Sequence, residues 1–430
     1  MKIKATLEHA RNLDRQDSLK RFRSQFLFPK LNGKRCIYLC GNSLGLQPVF
    51  TKQIIQNELD KWADFGVEGH FTEPNPWMGY HKTVTKGLAH VLGAKNEEVV
   101  AMGTLTSNIH HLLASFYKPT MNRFKILMED GAFGSDIYAI ESHVKYHGND
   151  VDYSVIKIAP KENEYCLQTA DILNIIEENK NEIAVVFLGG VNYYTGEVLD
   201  MKAITEFAHQ YGIFVGFDLA HAVGNIELHL HDWQVDFATW CSYKYLNSGP
   251  GGISGVFIHE NHFGAKLNIL SGWWGHEEAT RFQMPKVFKR AHGAEAWQQS
   301  NIPILSTAAL RASLDIFLEA DIANVRQKSV ALTGFLLELL NLLPQEFFTI
   351  LTPQVEDSRG AQLSLYFHEK GKETFDYLSE NGVVADWRNP NVIRIAPAPL
   401  YNSFEDVFRF YEILKDFLNL SASNDIHSVK

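Results

Sequence analysis

Short apolar runs alternate with helix-period segments through the middle of the chain. One such segment, residues 201–211, places Met201, Ile204 and Ala208 on one helical face, and Gly212 ends it. Apolar runs without alternation are typical of strands buried on both faces, and their alternation with helices predicts a mostly parallel α/β sheet covered by helices. The predicted strands are residues 99–102, 124–128, 155–158, 183–188, 213–217 and 255–258.

The pattern differs at both ends of the chain. Residues 6–26 predict a charged helix, residues 49–65 predict an amphipathic helix, and the glycines and prolines of residues 66–76 predict a loop. After about residue 301, two long helices precede two strands and a final helix, which favours a smaller α+β domain. We therefore predict an N-terminal segment that packs with the small domain, a large domain and a small C-terminal domain, over residues 1–65, 66–304 and 305–430.

Composition narrows the class of protein. Among 430 residues, hydrophobic residues make up 45% and charged residues 21%, which is typical of globular proteins. The net charge of −10 disfavours a nucleic-acid partner. The cysteines form no CxxC pair, which favours reduced thiols. No apolar run reaches the ~18 residues that span a bilayer, and the N-terminal segment is charged throughout, unlike a secretory signal. These features predict a cytoplasmic protein with reduced cysteines and no membrane partner.

Two polar clusters follow predicted strands, at the sheet edge where parallel sheets bind ligands. Residues 104–108 (Thr-Leu-Thr-Ser-Asn) precede a helix predicted over residues 109–116, so their backbone N–H groups suit a phosphate, although a plain helix cap gives the same pattern. In residues 133–136 (Phe-Gly-Ser-Asp), Phe133 can stack on a planar ring, or it can be a core residue beside a cap formed by Ser135 or Asp136.

Two further clusters supply charge. Asp218 ends the apolar run 213–217, where a carboxylate needs a cation such as a protonated pyridine, unless it only caps a turn. Lys244 lies in an apolar segment before the Gly-rich residues 249–252, and a covalent bond to a carbonyl cofactor would explain its place better than a solvent-reaching lysine. The order of all four clusters indicates a pyridoxal-phosphate (PLP) enzyme of fold type I, the aspartate-aminotransferase class.

Five longer motifs carry a closer resemblance. The chain resembles kynureninase from about residue 15 to residue 418, which implies hydrolytic cleavage of the Cβ–Cγ bond of kynurenine or 3-hydroxykynurenine to alanine and an anthranilate. The motifs are residues 38–48 (Tyr-Leu-Cys-Gly-Asn-Ser-Leu-Gly-Leu-Gln-Pro), 217–225, 240–247, 272–277 (Gly-Trp-Trp-Gly-His-Glu) and 394–404 (Arg-Ile-Ala-Pro-Ala-Pro-Leu-Tyr-Asn-Ser-Phe).

The resemblance also implies roles for individual residues. Lys244 holds the cofactor and moves protons, Asp218 keeps the ring nitrogen protonated, and Tyr243 contacts the phosphate and relays protons. Trp273 and Asn301 close the phosphate site from a neighbouring subunit, which implies a homodimer. The other implied cofactor contacts are Leu105, Thr106, Phe133, Ser135, Asp136 and His221, and the implied substrate contacts are Ser43, His70, Ser300, Asn301 and Arg394.

Substrate choice depends on a few of these positions. His70 together with Ser300 and Asn301 resembles the pattern of enzymes that prefer 3-hydroxykynurenine, because an imidazole and an amide can hydrogen-bond the ring hydroxyl. The alternative is that Asn301 serves only the phosphate while His70 faces solvent, and the bulk of Trp274 can reshape the pocket. Gly189 departs from the family pattern, which often has Ser or Thr there.

Four rival functions stay open from sequence. A cysteine desulfurase needs a nucleophilic cysteine in the C-terminal part, and none follows Cys241, whereas an aminotransferase has no such requirement. A metal hydrolase would use residues 229–232 (His-Leu-His-Asp) or residues 110–111 (His-His), but neither has the spacing of HExxH. A catalytically silent PLP-fold protein is disfavoured by the intact pair Asp218 and Lys244.

Overall fold

The computed structural model describes residues 4–427, with side chains as far as residue 420. The first three and last three residues of the predicted terminal units lie outside the described residues. The helices are α1 (Leu7–Gln16), α2 (Thr51–Phe65), α3 (Lys82–Leu92), α4 (Leu105–Phe116), α5 (Gly134–Tyr146), α6 (Val151–Ser154), α7 (Thr169–Glu178), α8 (Met201–His209), α9 (Glu278–Arg281), α10 (Ile304–Ala320), α11 (Ile322–Leu340), α12 (Gly371–Glu380) and α13 (Phe404–His427). The strands are β1 (Phe26–Leu27), β2 (Lys30–Leu31), β3 (Lys34–Arg35), β4 (Ile37–Tyr38), β5 (Gln47–Pro48), β6 (Val99–Ala101), β7 (Lys125–Glu129), β8 (Val155–Ile158), β9 (Ile183–Gly189), β10 (Phe214–Asp218), β11 (Phe237–Trp240), β12 (Gly255–Ile258), β13 (Phe348–Ile350), β14 (Leu363–Phe367), β15 (Val383–Val384), β16 (Asp386–Arg388) and β17 (Val392–Ile395).

Seven strands form the central sheet, in the order β6-β12-β11-β10-β9-β7-β8. β12 is antiparallel to both of its neighbours, and the other pairings are parallel. The strands are mostly apolar because helices cover both faces of the sheet, and their charged residues are Lys125, Glu129, Lys157 and Asp218. Gly216 in β10 leaves room for the ring of Phe237 on β11, which an added Cβ would overlap. The predicted mostly parallel, helix-covered sheet is confirmed.

A second, antiparallel sheet lies in the C-terminal part, in the order β13-β14-β17-β16. It shares a separate hydrophobic core with α11 and α13. Two N-terminal elements join this C-terminal part, because α1 packs against α13 and β4 pairs with β15. The helix α10, in contrast, packs into the core of the central sheet. The domain boundaries at residues 65 and 304 stay predictions.

Several elements differ from the sequence prediction, among them β13 and α12, which have no predicted counterpart. The predicted helix over residues 6–26 ends at Gln16, because the Asp17 carboxylate accepts the Leu19 N–H at 2.8 Å and a 3-10 helix, Lys20–Gln25, follows. The helix predicted from residue 109 begins at Leu105, where Thr104 donates its N–H to Ser107 Oγ at 2.9 Å. β11 is absent from the prediction.

Across the part of the chain that the structure describes, no helix is both long and apolar enough to cross a membrane.

Candidate active site

A cavity of about 190 Å³ lies at the carboxyl ends of three parallel strands. Each strand contributes its last residue, namely Glu129 from β7, Gly189 from β9 and Asp218 from β10. This edge is where open parallel sheets place their ligands. The other lining residues are Asn42, Ser43, Leu105, Ala132, Phe133, Asp136, Val191, Asn192, Tyr193, Ala220, His221, Tyr243, Lys244 and Arg388.

Lys244 projects into this cavity from the segment that follows β11. The carbonyl of Tyr243 accepts the Gly45 N–H at 2.8 Å, which ties that segment to the N-terminal part. Lys244 Nζ lies 2.9 Å from Nε2 of His221 and 5.9 Å from the ring centroid of Phe133. Burial and the adjacent Lys244 lower the pKa of His221 well below its usual range, so the imidazole is neutral and accepts a hydrogen bond from the lysine.

Asp136 and Asp218 form a buried carboxyl pair in the cavity wall. Asp218 Oδ1 accepts the Ala220 N–H at 2.7 Å, and Asp136 Oδ1 accepts the Ser135 hydroxyl at 3.0 Å. Burial raises the pKa of both groups, and the charge of Asp218 raises the pKa of Asp136 well above its usual range. Lys244 lowers the pKa of Asp218, so Asp218 ionises more readily than Asp136. The pair offers one negative charge to a cation in the cavity.

The N-terminus of α4 forms another part of the wall. Leu105, the first residue of α4, lines the cavity, and Thr106 follows it in the first turn with an exposed side chain. The first N–H groups of a helix have no intrahelical acceptor and carry the positive end of the helix dipole. This part of the wall is therefore suited to a phosphate.

Several predicted site residues do not line the cavity. Arg394 is fully buried outside it, with Nε donating to Asp386 Oδ1 at 3.0 Å and Nη1 donating to the Tyr193 carbonyl at 2.6 Å. His70 is half-buried against Trp77, with 5.3 Å between ring centroids. Thr106 and Ser135 also lie outside the lining, although Ser135 reaches the site through its hydrogen bond to Asp136. Trp273, Ser300 and Asn301 lie outside it as well and are exposed.

Glu129, the third carboxyl group of the site, is absent from the sequence prediction. Its Oε1 accepts the Gly189 N–H and its Oε2 accepts the Asn192 amide, both at 2.8 Å, and burial raises its pKa. A Cβ at Gly189 would lie 3.1 Å from Glu129 Oε1, so the glycine at this unusual position gives the carboxyl room. Glu129 directly follows the apolar run 124–128, as Asp218 follows 213–217, so the same strand-end argument would have found it.

The histidines of the metal-hydrolase alternative lie elsewhere. His231 Nδ1 lies 2.9 Å from Glu98 Oε1, and His259 completes a group whose donor atoms lie within 4.8 Å of one another. Hydrogen bonds already use much of this group, since Glu98 Oε1 also accepts the Glu260 N–H at 2.9 Å and His259 Nδ1 accepts the Asn261 N–H at 3.2 Å. None of these residues lines the cavity around Lys244.

The residues around the cavity fit pyridoxal phosphate. Lys244 is available for a covalent bond, Phe133 for stacking, Asp218 for the ring nitrogen and the start of α4 for the phosphate. Asn42 Oδ1 is buried in the wall and has no hydrogen-bond partner among the described residues, as expected where a polar ligand binds. Fold and site together define a PLP-dependent enzyme of fold type I.

Solved structures share this fold. The Escherichia coli cysteine desulfurase CsdA covers 94% of this chain and 99% of its own, with a TM-score of 0.76 and 19% identity. The cystine C–S lyase C-DES, solved as a variant with glycine covalently linked to its PLP cofactor, covers 91% of this chain and 98% of its own, with a TM-score of 0.75 and 18% identity. Residues 149–233 match the model of the DegT/DnrJ/EryC1/StrS aminotransferase family.

Sequence relatives identify the family. The kynureninase of Myxococcus xanthus is 52% identical over 94% of this chain and 96% of its own, and that of Flavobacterium psychrophilum is 49% identical over 95% and 97%. The kynureninase of Rattus norvegicus is 45% identical over 96% and 94%. Residues 325–414 match the kynureninase C-terminal domain model. The chain belongs to the kynureninase family, whose members are PLP-dependent hydrolases of carbon–carbon bonds, and the predicted cofactor and enzyme class are confirmed.

Proposed function

We propose that this protein hydrolyses the Cβ–Cγ bond of 3-hydroxykynurenine in preference to kynurenine, releasing alanine and the corresponding anthranilate in the cytoplasm. The observation that carries the proposal is the position of Lys244 Nζ, 2.9 Å from Nε2 of His221 and in the same cavity as Asp218, in a chain of the kynureninase family.

The chain's own side chains supply the proton transfers of this reaction. Bound pyridoxal phosphate supplies an electron sink for bonds broken at the substrate Cα. Lys244 Nζ removes the Cα proton, and the hydrogen bond to His221 orients Nζ. Asp218 provides the negative charge that would stabilise a protonated ring nitrogen. Burial raises the pKa of Tyr243, so its hydroxyl keeps its proton and serves as the general acid toward the γ-carbonyl to which water adds.

His70 supports the preference for the hydroxylated substrate. Its Nδ1 lies 3.0 Å from the Val67 carbonyl, so this nitrogen carries the proton and Nε2 is left as a hydrogen-bond acceptor. The loop is fixed from α2, where Glu58 accepts the Trp77 indole N–H at 2.8 Å. A phenolic hydroxyl donates to such an acceptor, whereas kynurenine has no group at that position.

We expect kcat/KM to be about tenfold or more higher for 3-hydroxykynurenine than for kynurenine. If bound kynurenine encloses the polar groups of His70 and Asn301 without pairing them, each would cost about 1–3 kcal/mol. In the double variant His70→Trp with Asn301→Thr, we expect the ratio to shift toward kynurenine. Steady-state kinetics with both substrates measure this. Equal values in the wild type, or an unchanged ratio in the double variant, would show that these residues do not set the preference.

We also propose a homodimer with shared sites. Trp273 and Asn301 do not line the cavity of their own chain, and Trp273 is 45% exposed. Phe282 packs against Trp273, with 5.2 Å between ring centroids, and is itself exposed. Other large apolar side chains of the chain are exposed as well, as a subunit interface requires. They include Leu270, Met284 and Val287, and in a separate part of the sequence Phe50, Trp62, Phe65 and Phe71.

Mixing inactive variants tests the shared site. A Lys244→Ala chain combined with a Trp273→Ala, Asn301→Ala chain is expected to recover roughly a quarter of wild-type activity, because half of the dimers are hybrids with one intact site. The control mixes Lys244→Ala with Asp218→Asn, whose positions line one cavity, and should recover nothing. No recovery in the first mixture, with both variants shown to exchange subunits, would contradict the shared site.

The carboxylate-binding role of Arg394 predicts a large effect of a charge-conserving change. Arg394→Lys is expected to raise KM for the amino-acid substrate by roughly tenfold or more, because one ammonium cannot serve Asp386, the Tyr193 carbonyl and a substrate carboxylate together. Unchanged KM and kcat in a folded variant would remove Arg394 from the substrate site.

A further inference from the structure

A buried glutamate ties the loop after β9 to the end of β7. Glu129 is the last residue of β7 and is only 5% exposed, and its Oε1 accepts the Gly189 N–H at 2.8 Å. Its Oε2 accepts the side-chain amide of Asn192, also at 2.8 Å. Both Glu129 and Asn192 line the cavity around Lys244, so the tie joins two parts of the cavity wall.

The hydrogen-bond polarity of this tie is fixed. Asn192 Oδ1 accepts the N–H groups of Tyr194 and Thr195 at 2.9 and 3.0 Å, and the Thr195 hydroxyl at 3.2 Å. The amide of Asn192 therefore cannot turn over without losing these bonds, and its nitrogen must face Glu129. Gly189 also presents a donor. Position 129 thus requires a side chain that accepts at both ends, which an ionised carboxyl does and a glutamine amide does not.

A carboxyl group is an expensive way to make this tie. Burial raises the pKa of Glu129, the hydrogen bonds from Asn192 and Gly189 lower it, and the charge of Asp218 raises it again. A neutral pair of side chains would join the two segments without the cost of a buried charge. Stability alone therefore does not account for the glutamate, and its place in the cavity wall indicates a role in the site.

The loop that Glu129 holds carries Tyr193 into the cavity wall. The ring of Tyr193 packs edge-on against Phe133, with 5.3 Å between centroids, and its centroid lies 6.5 Å from that of His221. The second sheet holds the same residue from the other side, because the Tyr193 carbonyl accepts Arg394 Nη1 at 2.6 Å. Phe133 and His221 are both predicted cofactor contacts. A displaced loop would therefore disturb the groups that hold the cofactor ring.

We propose that Glu129 is a positioning residue for the cofactor, which fixes the loop through Asn192 so that Tyr193 holds Phe133 against the cofactor ring. The proposal concerns the cofactor and is independent of which substrate the enzyme cleaves. The competing explanation is that Glu129 acts only through its negative charge near Asp218.

Exchanging the two tied groups separates these explanations. In the double variant Glu129→Gln with Asn192→Asp, the introduced amide donates to the introduced carboxylate, and the bond from Gly189 is kept. The net charge is unchanged and both hydrogen bonds form, but the charge moves from position 129 to position 192. A positioning role survives this exchange, whereas a role that depends on charge at position 129 does not.

The dissociation constant of pyridoxal phosphate measures the effect without turnover. It is obtained by equilibrium dialysis of the holoenzyme, and visible circular dichroism of the bound cofactor reports the orientation of its ring. Glu129→Gln is expected to weaken cofactor binding by roughly tenfold, because its amide nitrogen would face that of Asn192. Asn192→Asp alone is expected to weaken binding to a similar extent, because two carboxylates would face each other. Both single variants should change the circular dichroism band.

The double variant decides the question. Positioning predicts a dissociation constant within about threefold of wild type and a restored circular dichroism band, so that each change rescues the other. Binding by the double variant no tighter than by Glu129→Gln would overturn the proposal. An unchanged band and a dissociation constant within about twofold of wild type in Glu129→Gln itself would also overturn it. If Glu129→Gln does not fold, Asn192→Asp is compared with the double variant, and rescue is still required.

Glu98→Gln is the matched control. Glu98 is also a buried glutamate with both oxygens accepting, from the Lys95 N–H and the Glu260 N–H, each at 2.9 Å. It does not line the cavity around Lys244. Its replacement should lower the stability of the fold but leave cofactor binding and the circular dichroism band unchanged. An equal loss of cofactor binding in Glu98→Gln would contradict a role specific to Glu129.

Discussion

Replacing Lys244 with alanine is expected to abolish turnover, lowering kcat by at least about a thousandfold. The variant should also lose the cofactor bond, so that borohydride treatment leaves no cofactor mass on the peptide containing residue 244. The reason is geometric, since Lys244 Nζ faces the cavity beside neutral His221 and next to the ring of Phe133. Borohydride reduction, proteolysis and mass spectrometry measure the attachment directly.

Lys328→Ala is the control for this variant. Lys328 is another buried lysine, paired with Asp17 at 2.7 Å and remote from the cavity. Its loss should lower the stability of the fold but leave the cofactor on residue 244 and preserve turnover at permissive temperature. A Lys244→Ala protein that kept a reducible cofactor bond would show that another lysine holds the cofactor.

Asp218→Asn is expected to retain the cofactor and to lose activity by roughly one to three orders of magnitude. An adjacent opposite charge shifts a pKa by about 1–3, and the variant loses this effect on the pKa of the ring nitrogen. The amide keeps the shape of the carboxylate and can still accept the Ala220 N–H, but it cannot stabilise a protonated ring nitrogen. A pH titration of the cofactor's visible band should show the pKa of the bound chromophore altered, alongside the loss of kcat.

Asp236→Asn is the matched control for Asp218→Asn. Asp236 is also buried, but it pairs with His209 at 2.9 Å and His262 at 2.7 Å away from the cavity. That variant should lose stability without changing the cofactor spectrum or kcat. Near-wild-type turnover in Asp218→Asn would remove Asp218 from the mechanism.

The central sheet could be predicted because its strands are buried on both faces. β8 (Val155–Ile158) and β12 (Gly255–Ile258) match their predicted ranges, β9 extends one residue further than predicted, and β10 is shifted by one residue. Asp218 and Lys244 were found because a charged residue at the end of an apolar run is conspicuous in sequence. The topology, with antiparallel β12 between β6 and β11, depends on long-range pairing that local periodicity does not encode.

Two other site residues that are absent from the sequence prediction come from distant segments. Asn42 arrives from the N-terminal part and Arg388 from the second sheet, so neither follows a strand of the central sheet. Their place depends on how the C-terminal part packs, including the pairing of β4 with β15. The remaining predicted contacts, Trp273 and Asn301, stay predictions because their proposed site is completed by a second subunit.

Product stoichiometry from 3-hydroxykynurenine tests the central claim most directly. The purified holoenzyme is incubated with 3-hydroxykynurenine, and L-alanine and 3-hydroxyanthranilate are quantified by chromatography against the substrate consumed. Hydrolysis of the Cβ–Cγ bond predicts that both products form in equal amounts and account for all substrate lost, without an added keto acid. Formation of a transamination product that depends on an added keto acid, or no cleavage by a protein that carries its cofactor on Lys244, would contradict the account.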